Sequence, residues 1–212
     1  MNVPPHSNLT RLLVALSASG VAYFLAVTLT EELIRKGYSP LRTTISELAL
    51  GRYGTWQVSG FLVLGSALLL LSVGLARQTT PTAASRTGVA LVAITALAVM
   101  TLGVFRTAPA GVPNTTPGAQ VHQYAAEVGY LCFIAATLAF GLHFRRDSRW
   151  RRLTKPSFLL GGLGLAGAAV FVTMRDTRLA GLSERGLTAT QLTWLVLVMI
   201  HLLSRARAPS ER

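Results

Sequence analysis

A single cysteine, Cys132, excludes an intramolecular disulfide. It lies in the apolar run Leu131, Cys132, Phe133, Ile134 and is read as a small packing residue. Charge is scarce too: Asp, Glu, Lys and Arg make up 13% of the 212 residues, against roughly a quarter in soluble domains. The short motifs of common soluble chemistry are missing: no Walker-type loop, no His-Glu-x-x-His, no Cys-x-x-Cys and no Gly-x-Ser-x-Gly. Zinc needs three or four suitable ligands. His6, His122, His143 and His201 are too dispersed to supply them, so no metal site is expected.

What is abundant is apolar. Hydrophobic residues are 51% of the chain and mean hydropathy is +0.48. They are gathered into long runs rather than spread at amphipathic spacing, which marks segments apolar all round and hence spans of lipid. Six runs have the length for a hydrocarbon core of about 30 Å: residues 12–30, 57–76, 88–105, 124–144, 157–174 and 188–204. The expectation is an all-α polytopic membrane protein, one domain over 1–212 with six transmembrane helices. The first run leads into Glu31-Glu32 without a small-residue cleavage motif and is read as a retained helix, not a signal peptide. Gly161, Gly162, Gly164 and Gly167 fall inside the fifth run, where they suit close helix packing rather than a nucleotide loop.

The net charge of +12 is not read as a nucleic-acid patch, because the basic residues sit in the breaks between apolar runs and act as topology signals. With the N-terminus inside, twelve of the 20 Lys and Arg residues fall on the inner side and eight on the outer. Both termini are therefore expected in the cytoplasm. The inner segment Arg145–Lys155 is polybasic, with Trp150 in it, and its expected partners are anionic lipid headgroups.

The outer connections carry the information. In the first, 31–56, Ser39-Pro40 and the Thr44–Glu47 spacing of a capping box each offer a helix start. Leu41, Ile45 and Leu48 make a stripe and Gly51 a stop, predicting a short amphipathic helix. The second, rich in Pro and Gly, delivers His122 to the start of the fourth helix, and Glu127 follows. The third holds Arg175, Asp176, Arg178, Glu184 and Arg185. Each hairpin thus places an arginine and an acid at the outer rim: Arg42 with Glu47, Arg106 with Glu127, Arg175 or Arg178 with Glu184. Glu127, an ionisable group inside a membrane helix, is either a functional group or one half of an ion pair with Arg106 or Arg175.

Several of these motifs carry a resemblance. Tyr38-Ser39-Pro40-Leu41-Arg42 followed by Ile45-Ser46-Glu47-Leu48-Ala49, Gly51 and Gly54 resembles the bacterial membrane family called domain of unknown function 998. Gly103-Val104-Phe105, His122, and Gly181-Leu182 with Glu184-Arg185 resemble it as well. The chain departs from it at Arg106-Thr107-Ala108, where the family pattern would place an acid. The resemblance implies a six-helix bacterial inner-membrane protein without an established activity.

The functional expectation is a pocket on the outer side for an anionic or amphiphilic small molecule or lipid. Arg42, Arg106, Arg175 and Arg185 would recognise the anionic end bidentately, with Glu47, Asp176 and Glu184 as neighbours. Glu127 and His122 are the candidate acid/base pair of an enzymatic alternative: a transferase, hydrolase or cyclase. A transporter would need access from both sides, and ionisable residues gathered on one side weigh against a proton-driven one. No cofactor is expected. Haem held by His143 and His201, both near the inner ends of their helices, is the alternative. Neither residue types nor spacing specify an oligomeric state.

Overall fold

The computed structural model describes residues 8–109 and 111–207. The polar stretch expected before the first helix lies mostly outside them, as do His6, Glu211 and Arg212. Among the described residues there is no strand, and six long helices are present: α1 Asn8–Ile34, α2 Gly54–Gln78, α3 Ala83–Val104, α4 Pro117–Phe144, α5 Thr154–Met174 and α6 Ala180–Arg207. All six are long and apolar enough to cross a membrane, and the protein is a multi-pass membrane protein.

The helices run past the apolar stretches at several ends because local capping continues them. Thr82 and Ser85 form a reciprocal capping box that starts α3 five residues before its apolar run. Thr116 accepts from the Ala119 N–H, and Pro117 occupies the first turn of α4. The distribution of polarity is that of a protein solvated by lipid. Long aliphatic side chains such as Leu12, Leu16, Leu29, Leu163 and Val172 are exposed, while Ser17, Thr28, Glu31, Gln57, Thr137, Ser157 and Glu184 are buried.

Successive helices are neighbours, and α1 meets α6, so the ring closes. Three connections lie at one end of the bundle, here the long-loop end: 35–53, 105–116 and 175–179. The other two, 79–82 and 145–153, lie at the short-loop end. Helix α5 is a buttress on α4 and α6. Gly161 permits that approach, since a Cβ there would stand 2.8 Å from Cγ of Leu138.

At the short-loop end an aromatic stack plugs the bundle. Phe133 and Phe140 pack on Trp194, Phe140 on Phe144, and Phe144 lies parallel to Trp150 at 4.8 Å between ring centroids. The Trp194 indole N–H donates to Ser157 at 2.9 Å, joining α6 to α5. Trp150 is only 1% exposed. The tryptophan of the polybasic segment is thus core, and the surface there is left to exposed Arg145, Arg146, Arg151, Arg152 and Lys155.

Asp147 organises this end. It accepts from Thr80 at 3.1 Å and from Arg149 Nε at 3.1 Å and Nη2 at 2.7 Å, tying the two short connections together. The hydrogen bond from the Arg149 side chain holds the carboxyl down at about 2, below its usual 3.8. A depressed folded-state pKa contributes stability above the unfolded value, and that stability disappears as pH falls through the folded one. Asp147→Asn is therefore expected to lower the melting temperature at neutral pH, with the gap to the wild type closing as pH approaches 2. A gap that stays constant down to that pH would contradict the assignment.

Candidate functional site

The long-loop end is built around the α1–α2 connection, which folds inward over the bundle. The expected amphipathic helix is not continuous. Ser39 starts a turn through its carbonyl to the N–H groups of Arg42 and Thr43, and a separate 3₁₀ turn spans Ser46–Ala49. The Thr44–Glu47 box does form: the Thr44 N–H donates to Glu47 at 2.8 Å and the Glu47 N–H to Thr44 Oγ1 at 3.3 Å. Gly51 ends the segment at φ +74°. Ile45 and Leu48 are buried, but Leu41 is 52% exposed. Splitting the helix turns the stripe's first member away from its other two.

Two ionic groups clamp this turn from opposite ends. Glu184, 4% exposed, accepts from the Ile45 N–H at 2.5 Å and from Ser46 Oγ at 3.3 Å. Arg35 donates to the carbonyls of Glu47 and Leu48 and is held by fully buried Glu31 at 2.6 Å. The acid therefore serves an N–H at the start of the turn and the guanidinium the carbonyls at its end, where a helical turn leaves such groups short of partners. Arg185 fixes the rest of the loop. It meets Glu32 through Nε at 3.0 Å and Nη2 at 2.7 Å, the carbonyls of Pro40, Thr43 and Gly181 through Nη1, and the Tyr38 hydroxyl through Nη2. Every nitrogen of the guanidinium is engaged within the chain. Burial pushes the Tyr38 phenol up to about 12, against the pull of Arg185, so it stays protonated as a donor to the Thr43 carbonyl.

Beneath the turn is a cavity of about 70 Å³, lined from α1, α2, α3, α4 and α6. Its wall is mostly apolar, with Phe24, Phe61, Leu64, Val99 and Phe133 prominent. Ser46, Glu184, Tyr130, Thr188, Gln191 and Thr95 supply the polar points. The Tyr130 and Thr188 hydroxyls pair at 3.0 Å, and Gln191 donates to the Tyr130 carbonyl at 3.4 Å.

The residues expected at the site are thus distributed over several places. Glu184 lines the cavity, Arg185 and Glu47 hold its loop, and neither Arg42, Arg106, Arg175 nor Arg185 is in its wall. Arg42 and Arg106 are exposed. Arg175 stands 4.0 Å from Glu127 and 3.7 Å from Asp176, a group apart on the surface. Glu127 is 49% exposed and also accepts from Gln123 at 3.0 Å. His122 is buried, with Nδ1 2.6 Å from the Phe105 carbonyl, so it pins the start of α4 to the end of α3. Five residues advance a helix by about 140° beyond a full turn. His122 and Glu127 accordingly occupy different sides of α4, one inward and one outward. His143 and His201 are linked by ring contacts through Phe144 and Trp150, so two aromatic rings stand in series between the imidazoles. Among the described residues no three His, Cys, Asp or Glu side chains group as metal ligands.

In the sequence Glu31, Glu32 and Arg35 stand only as charges beside an apolar run, and Tyr130, Thr188 and Gln191 belong to no motif. Their signal was present: paired acids ending a long apolar run, and a lone glutamine inside another.

The same segments decide the classification. The family described as Protein of unknown function (DUF998) matches residues 18–201. The chain belongs to it. That range begins ten residues into α1 and takes in both clamps and the cavity of the DUF998 chain, ending at His201 in α6. Neither the curated proteins nor the solved structures contain a match to this DUF998 chain.

Proposed function

We propose that this membrane protein binds a small amphiphile, or the end of a lipid chain, inside the bundle. The ligand's apolar part would lie in the cavity and its hydrogen-bonding end at Glu184. The observation that carries this reading is the cavity itself: mostly apolar, roofed by Ile45 and Ser46, and reached by one buried carboxyl. Apolar walls with a few convergent polar groups are the usual character of small-molecule sites. The volume of about 70 Å³ exceeds the ~10–15 Å³ needed for one water, and it suits a short chain rather than a whole lipid. The enzymatic alternative through His122 and Glu127 has less support, because those side chains take opposite sides of α4.

The test is native mass spectrometry of protein purified in mild detergent, wild type beside Ala126→Phe, which adds a ring to the cavity wall. A co-purifying small molecule is expected on the wild type and absent from a variant of similar melting temperature. Equal retention by both proteins would sink the proposal.

The reading also includes an orientation, with the basic short-loop end in the cytoplasm of a bacterial inner membrane. The eight exposed basic residues there, Arg11, Arg77 and Arg86 beside those of 145–155, support it. They would rest on anionic headgroups. A reporter fused after residue 207 is expected to report the cytoplasm, and activity of an exported reporter at that point would reverse the orientation.

A further inference from the structure

The cavity's polar end carries one ionisable side chain among the described residues, and it is an acid. Glu184 is the one carboxyl in its wall, and no basic side chain lines it. Both direct partners of Glu184, the Ile45 N–H and the Ser46 hydroxyl, are neutral. Arg185, its neighbour in sequence, has its guanidinium turned to Glu32, Tyr38 and three carbonyls. Thr95 also favours a donor as guest. The Thr95 hydroxyl donates to the Leu91 and Gly129 carbonyls at 2.9 and 3.3 Å, which leaves its lone pairs as what it can offer. An ammonium group has three donors and no acceptor, which suits a carboxyl at Glu184 and the lone pairs of Thr95, whereas a carboxylate or phosphate would bring acceptors to an acid.

The apolar wall strengthens the same preference. Phe24, Phe61, Tyr130 and Phe133 come from three helices to line one small space, with Phe24 and Phe61 in contact at 5.9 Å between centroids. Aromatic faces attract cations, most strongly where water is excluded. A cation in such a place needs a counter-charge, since an unpaired ion in an apolar interior is strongly disfavoured.

We infer that the cavity is a site for a small amphiphilic amine: an alkylammonium whose cationic end pairs with the Glu184 carboxylate and whose chain lies against the aromatic side chains. This inference rests on the cavity being a binding site and adds the charge of what it takes. It replaces the anionic guest expected from the arginines, none of which reaches the wall.

The test uses the full chain in nanodiscs of zwitterionic phosphatidylcholine and three probes of one length: n-butylammonium, n-butanol and butyrate. Binding is read by calorimetry on wild type, Glu184→Gln and Ala126→Phe. Butylammonium is expected to bind the wild type about tenfold more tightly than butanol, with butyrate weakest. Glu184→Gln should bring butylammonium down to the level of butanol, and Ala126→Phe should abolish binding of both. Butanol or butyrate binding as tightly as the amine, or an amine preference that survives Glu184→Gln, overturns the cationic assignment and leaves the cavity reading standing. Binding of no probe, or binding unchanged by Ala126→Phe, overturns both. Should Glu184→Gln not fold, the ranking of the three probes on the wild type decides the sign of the charge without it.

Discussion

Arg185→Ala is expected to be among the most damaging single substitutions in this protein, lowering stability by about 3–5 kcal/mol. The guanidinium serves five acceptors at once: Glu32, the Tyr38 hydroxyl, and the carbonyls of Pro40, Thr43 and Gly181. Its removal leaves the partly buried Glu32 without its cation and takes a charged donor from the carbonyls of Pro40, Thr43 and Gly181. Both losses carry a desolvation penalty that the wild-type pairing had cancelled. Lysine should not rescue, because one ammonium with three donors cannot reproduce a planar fork that reaches five groups. Thermal unfolding in detergent measures this, with a fall of roughly 10 °C expected for a chain of this size. Combining Arg185→Met with Glu32→Leu should recover the part of the loss due to the ion pair but not the part due to the loop carbonyls. A melting temperature for Arg185→Ala within about 2 °C of wild type would show that the clamp is not what holds the loop.

Gly181→Ala should act at the same junction by a different route. The loop backbone lies directly on α6 here: a Cβ on Gly181 would stand 2.5 Å from the Pro40 carbonyl oxygen and 2.9 Å from the Thr43 carbonyl carbon. These are main-chain atoms that cannot swing aside as a flexible side chain does. The loop must therefore lift, breaking the bond from the Leu182 N–H to the Leu41 carbonyl at 3.1 Å and drawing Ile45 from Glu184. A cost of about 1–3 kcal/mol is expected, together with faster hydrogen exchange across residues 41–48. Gly186, one turn further along α6, has nothing within 4 Å of its would-be Cβ. Gly186→Ala should therefore be neutral or stabilising by up to about 1 kcal/mol, from helix propensity alone. Equal effects at the two glycines would remove the close-approach explanation.

The helices were legible because their cause is local and repeated. Six apolar runs, each long enough for lipid, place six spans whatever their neighbours are, and the Thr44–Glu47 box and the stop at Gly51 are likewise short-range chemistry. Helix starts were less legible, since α6 begins at Ala180, eight residues before its apolar run. Polar residues such as Ser183, Glu184 and Arg185 are helical there because each finds a partner in the loop or on its own helix.

Composition and order alone determined that the chain is an all-helical, six-span membrane protein, and that opposite charges gather at one end of it. Tertiary structure alone decided which charges meet. Arg185 joins Glu32 across 153 positions and Glu184 joins Ile45 across 139, while Arg42 and Arg106 stay on the surface. Residue type sets what a side chain can bond to, but only the packing of α1, α6 and the loop sets who is within 3 Å. In an interior without water every buried charge must take the partner that packing supplies. That is why the arginines became clamps and the cavity was left with Glu184.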